Sequence, residues 1–176
     1  MNQTKIGTTR LTGYLLTMLG CRGKWLLPEP EPAETVDAPK LLQIRRELED
    51  TGLVELDFDG KLHPTEEFAR LAYNMTHVRG ALRWKSEDRQ QIFLRGPVDD
   101  LLLTCRWDLW TMELSRPSAL LRWARELTAS EEAGTLSAVN EPDGLPVEIS
   151  PALGADRQKG ILEILDIYYG GGQDDA

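Results

Sequence analysis

Apolar positions along the chain recur with two different periods, and the change falls near residue 80. Before it the spacing is helical. Leu11, Tyr14, Leu15, Met18 and Leu19 fall at i, i+3, i+4, i+7 and i+8, with Thr8 and Thr9 placed to cap a helix and Gly20 to stop it. A second stripe of Leu41, Ile44 and Leu48 follows Pro39, predicting a helix from Pro39 to Thr51 that ends at Gly52. Next comes "LVELDF", Asp59-Gly60 and "KLH", a hairpin with a predicted two-residue type I′ turn. Thr65 then caps a third helix. Glu66 and Glu67 suit its positive first turn, and Phe68, Leu71, Ala72 and Met75 form its inner face.

After residue 80 the period is two. "ALRWKS", "QQIFLRG", "DLLLTCR" and "LWTMELS" read as four strands, with Leu101, Leu103 and Cys105 sharing one face and Trp110, Met112 and Leu114 another. Breaks at Glu87-Asp88, Gly96–Asp99 and Trp107-Asp108 are short enough to join only antiparallel neighbours. Ser115 and Pro117 open a helix to about Ala129, with Leu120, Leu121, Ala124 and Leu127 inward. "TLSAV" and "LPVEIS" predict a hairpin across "NEPDG", and a last helix over Asp156 to Tyr169 buries Ile161, Leu165 and Tyr168. The expected fold is one α+β domain over residues 1–170. Its centre is a four-stranded antiparallel meander packed on one side by helices, and its N-terminal helix–hairpin–helix segment is winged-helix-like. Residues 28–39, "PEPEPAETVDAP", are expected to form an extended loop, and residues 171–176 a disordered tail.

At 176 residues the chain has the size of one domain. Its net charge of −9 repels phosphate backbones and anionic membranes, so neither nucleic acid nor membrane is an expected partner. The helix before the hairpin agrees: Lys40, Arg45 and Arg46 are balanced by Glu47, Glu49 and Asp50, and the tip "DFDGK" would push two acids at DNA. No apolar stretch reaches 18 residues and no apolar segment follows the first charges, so a cytoplasmic protein is expected. Sequons at Asn2 and Asn74 are then chance matches.

Candidate chemistry is sparse. Cys21 and Cys105 have no metal-type spacing, and His63 and His77 stand fourteen residues apart with no partner at helical spacing. No nucleophile elbow surrounds Cys105 or Ser118, and no phosphate-binding glycine pattern occurs. Asp57 and Asp59 read as a solvated hairpin tip rather than an acid/base pair. No catalytic residue, cofactor or metal ligand is expected. Of the five tryptophans, Trp107 and Trp110 fall on opposite sides of the pleat, so a sheet with one inner face would leave one of them for a partner.

Three stretches together resemble the EspG-type chaperones of type VII (ESX) secretion systems: "KWLLPEP", "LEDTGLVELDFDGKLHPT" and "LLLTCRWDLWTMELSRPSALLRWARELT". The resemblance spans about residues 9–128 and rests on apolar and turn patterns. It implies a cytosolic, cofactor-free α/β protein that holds a secretion substrate soluble. In that family the loop between the second and third sheet strands touches the substrate, which here is Arg95, Gly96, Pro97, Val98 and Asp99. The family has two similar halves and this chain resembles one, which implies either a diverged, shortened relative or a homodimer that replaces the other half. With Trp107 and Trp110, these five residues form the expected partner-binding set. The chain itself does not read as a secreted substrate. No Trp-x-Gly turn occurs, and no tyrosine is followed by an acid four residues on. An acidic winged-helix-like regulator and a small enzyme are the competing expectations.

Overall fold

The computed structural model describes residues 5–9, 25–26, 37–107, 109–141, 144–150 and 155–170. The body of the first expected helix, most of the 28–39 loop and the 171–176 tail lie outside them, and Thr8 and Thr9, expected to cap that helix, are instead strand residues paired with Trp110 and Leu109. Over the described residues the fold is α+β, with four helices and a seven-stranded antiparallel sheet. The helices are α1 (Ala38–Asp50), α2 (Glu66–Thr76), α3 (Pro117–Ala129) and α4 (Ala155–Tyr169). The strands are β1 (Lys5–Thr9), β2 (Val54–Leu56), β3 (Leu62–Pro64), β4 (Ala81–Lys85), β5 (Gln90–Leu94), β6 (Asp100–Arg106), β7 (Leu109–Ser115), β8 (Thr135–Val139) and β9 (Val147–Ile149). The large sheet has the order β1-β7-β6-β5-β4-β8-β9, and β2 and β3 form a separate two-stranded sheet.

Caps and prolines account for the helix starts. The Asp37 carboxylate accepts from the Lys40 amide at 3.0 Å to begin α1, and the Thr65 hydroxyl accepts from the Phe68 amide at 3.4 Å to begin α2. Pro117 sits in the first turn of α3, where a missing N–H leaves no bond unmade.

The sheet has two covered faces, not the single one expected. Register places Ile6, Met112, Leu103 and Ile92 in one row across β1, β7, β6 and β5. That row packs with Leu71 and Met75 of α2, Leu53 and Trp25. On the opposite face Ala138, Leu82 and Phe93 line up across β8, β4 and β5, under Leu120 and Trp123 of α3 and Ile161, Ile164 and Tyr168 of α4. The cause is legible in β5 and β6. Ile92, Phe93 and Leu94 are consecutive and all fully buried, which a half-exposed strand cannot satisfy. The sheet is also wider than four strands. β1 adds to β7, and the β8–β9 hairpin joins β4 instead of standing alone.

Two smaller expectations are corrected. The α1 stripe is not buried: Leu41 is exposed, Ile44 and Leu48 are half-buried, and of the inward set on α3 Leu121 is exposed. The hairpin turn is not type I′, because only Gly60 has a positive φ, at +73°, and Asp59 does not. Asp57 and Lys61 close the loop, with the Asp57 amide donating to Lys61 O and the Gly60 amide to Asp57 O, both at 3.0 Å. The three-residue form wins because the Asp57 carboxylate accepts from the Asp59 and Lys61 amides, each at 2.9 Å.

Candidate functional site

The residues expected to bind a partner do not converge. Arg95–Asp99 link β5 to β6, whereas Trp107 lies in the β6–β7 turn. The seven residues of β6 separate them by roughly 23 Å.

The β5–β6 loop is held from within. Asn74 of α2 is fully buried, and its Oδ1 accepts from the amides of Val98 (3.4 Å) and Asp99 (3.1 Å) while its Nδ2 donates to Arg70 O at 3.0 Å. An asparagine engaged in this way is no glycosylation acceptor. Arg70 reaches the same Asp99 carboxylate oxygen through Nε at 3.0 Å and Nη2 at 2.6 Å. A Cβ at Gly96 would stand 2.3 Å from Asp99 O and 2.6 Å from Asn74 Oδ1, so only glycine fits. Val98 alone projects freely outward.

Behind this loop lies the main cluster of ionisable groups. Asp100 is buried at the start of β6, and desolvation raises its pKa although Tyr168, the Gly96 amide and Arg95 pull the other way. Burial likewise raises the phenols of Tyr168 and Tyr169. The Tyr168 hydroxyl sits beside Asp100 without a hydrogen bond of standard geometry. Arg95 places its guanidinium 5.7 Å from the Tyr168 ring centre and 5.9 Å from that of Tyr169, and donates to Arg79 O at 2.8 Å. Gly80 lets the end of α4 approach, since a Cβ there would meet Tyr168 O at 2.6 Å. These contacts tie α4 to the β4–β5 end of the sheet.

The two tryptophans part company. Trp110 is 0% exposed, facing Cys105 and Thr8 across its strand neighbours, so it belongs to the core and not to a contact surface. Trp107 is 77% exposed, is held at φ +52°, and lies beneath the Arg106 guanidinium at 5.0 Å from its ring centre. The strand alternation assumed for the pair fails because Trp107 is a turn residue. Both histidines have local partners. His63 Nε2 lies 2.8 Å from Asp57 Oδ2, a contact that lowers the Asp57 pKa, and His77 Nδ1 lies 2.9 Å from Tyr73 O. Among the described residues no three His, Cys, Asp or Glu side chains are grouped to hold a metal ion. None of the described helices is long and apolar enough to cross a membrane.

An apolar surface left without a cover lies on the small β2–β3 sheet. Its pairing sets Leu56 opposite Leu62 and Val54 opposite Pro64, and alternation puts all four on one face. Leu56 is 45% and Leu62 41% exposed, and Phe58 projects fully from the loop between them. Glu55 and His63 take the other face. Two strands of three residues are marginal alone, so a bare apolar face on them is a cost that folding does not explain. Sequence reasoning treated this hairpin as a fold element only. The overlooked signal is the charge around it: residues 47–67 hold eight acids and one lysine, seven of the chain's nine net negative charges.

No protein-family model matches the chain, and no curated protein does.

Proposed function

We propose that this chain is a non-enzymatic protein-binding protein, a cytosolic chaperone or adaptor, whose docking surface is the β2–β3 hairpin. The observation that carries the reading is the uncovered apolar pair Leu56 and Leu62, beside half-buried Val54, with Phe58 at the tip. Both faces of the large sheet are occupied by the chain's own side chains, which leaves this hairpin, together with exposed Leu41 and Leu42 of α1, among the apolar surfaces free to meet another polypeptide. Trp107 is a second proposed contact, being an exposed aromatic in a backbone conformation that L side chains rarely adopt. Val98 of the β5–β6 loop is a third. The resemblance to EspG-type chaperones makes a secretion substrate the proposed client.

The order α1, hairpin, α2 also supports a second reading, an acidic winged-helix-like regulator working through protein contacts. Its DNA-binding form is disfavoured because Arg45 is engaged with Glu49 at 2.8 Å and the hairpin is strongly acidic.

A photo-reactive amino acid at position 58, with crosslinked products identified by mass spectrometry from the native host, tests the first reading. The expected result is one recurrent protein, lost when the reactive group is moved to exposed Leu162 on α4. Equal products from both positions, or none from position 58, would overturn it. Retention of duplex DNA at low salt would favour the regulator.

A further inference from the structure

The face described above has a charge as well as a shape, and that charge selects what can lie on it. This step rests on the reading that the hairpin docks a polypeptide. Asp50 ends α1 just before the hairpin, Asp59 stands at its tip, and Glu66 and Glu67 open α2 just after it; all four are exposed. Lys61 is the one basic side chain of residues 47–67. Arg45, the nearest cation on α1, is committed to Glu49 at 2.8 Å and reaches Gly60 O at 3.4 Å. An apolar strip of Leu56, Leu62 and Phe58 therefore lies between concentrations of unneutralised carboxylate.

That arrangement discriminates among occupants. A second copy docking through the same face would set the exposed carboxylates Asp50, Asp59, Glu66 and Glu67 against the same four, with Lys61 the one lysine among them, a repulsion that a few leucines do not offset. Anionic lipid and nucleic acid meet the same repulsion. A polypeptide that covers the leucines and carries Lys or Arg along its flanks satisfies both features.

We infer that the segment docked on the apolar face of β2–β3 is a cationic amphipathic one, with apolar side chains on Leu56, Leu62 and Phe58 and lysines or arginines beside the acids that flank the hairpin. Charge complementarity then speeds association and rejects acidic competitors, and the apolar strip supplies most of the affinity.

Fluorescence anisotropy of the full chain tests this with three labelled peptides of about 15 residues. The first sets leucine along one helical face and lysine along the other, the second has glutamate for every lysine, and the third has serine for every leucine. The expected result is binding of the first alone. Its affinity should fall about tenfold or more in Leu62→Ser and again in Phe58→Ser, and severalfold between roughly 0.05 M and 0.5 M salt. Both positions are exposed, so unchanged melting temperatures of the variants confirm that folding is not what was lost. Equal binding of the leucine–glutamate peptide would overturn the charge selectivity and leave a docking face that reads only apolar surface. Binding of the serine–lysine peptide, or lysine-peptide binding unaffected by Leu62→Ser, would overturn the proposed face. Binding of none, while position 58 still crosslinks to one protein, would overturn the cationic client and leave the docking reading in place.

Discussion

Replacing Arg157 with methionine isolates what one buried cation does for the fold. Arg157 is fully buried in the first turns of α4, and its guanidinium donates to three carbonyls at or just beyond the end of α3: Leu127 O at 3.2 Å, Ser130 O, and Glu132 O at 2.7 Å. It also lies 5.8 Å from the ring centre of Trp84, so one side chain joins α3, α4 and the sheet. Methionine occupies comparable volume and donates nothing. Leu127 O keeps the Ser130 amide at 3.2 Å, so the principal loss falls on Ser130 O and Glu132 O, both on partly buried residues that water reaches incompletely. An orphaned buried acceptor costs about 1–3 kcal/mol, and relief from burying a cation returns part of that, for a net loss of about 3 kcal/mol. For a domain of this length the melting temperature should drop by about 6–12 °C. Circular dichroism melts in parallel with urea titrations measure it. Arg157→Lys, with fewer donors and no planar fork, should fall between the two. A methionine variant melting within about 2 °C of the parent would refute the claim that these carbonyls depend on the guanidinium.

Four other substitutions have expected outcomes. Asp100→Asn should raise the melting temperature at pH 7. The raised pKa means the folded state disfavours the carboxylate, a penalty absent below the unfolded value near 3.8 and complete above the folded one. The gain should therefore vanish as pH falls toward that value, and a uniform effect from pH 3 to pH 8 would contradict the cause. Trp110→Ala should cost about 3–5 kcal/mol by urea titration, since it empties a fully buried ring site. Trp107→Gly should leave stability unchanged or raise it by up to about 1 kcal/mol by relieving the left-handed backbone, and a loss above that size would show Trp107 to be structural. Gly96→Ala should melt below the parent by several degrees and loosen the β5–β6 loop in hydrogen exchange, because its Cβ would enter contact with two oxygens.

The site was legible only in part. Reading "LVELDFDGKLH" found the hairpin, because alternation and an Asp-Gly step are local features, yet it could not say that the apolar side stays bare. The expected partner-binding residues lie apart for a related reason. The break at Trp107-Asp108 falls where the sequence places it, but strand alternation was carried across it to Trp107, a turn residue whose exposure no strand register sets. The pull of Asn74 on the β5–β6 loop was invisible as well, since 24 positions along the chain separate that side chain from the Val98 amide it accepts from.

What the amino acids determined alone are the features closed within a few residues: the cap at Thr65, the proline starts of α1 and α3, the glycine in the hairpin loop, and the β5 and β6 segments themselves. Each rests on a dihedral preference or a hydrogen bond between near neighbours. Tertiary structure decided the rest. Strand β1 pairs with β7 across about a hundred residues, β8 crosses to β4, and the second face of the sheet is covered by α3 and α4. Those outcomes depend on which distant apolar surface can be removed from water. The run Ile92-Phe93-Leu94 carries the need for two covers, which the expectation of a single inner face passed over, and only the assembled fold showed which helices supply them.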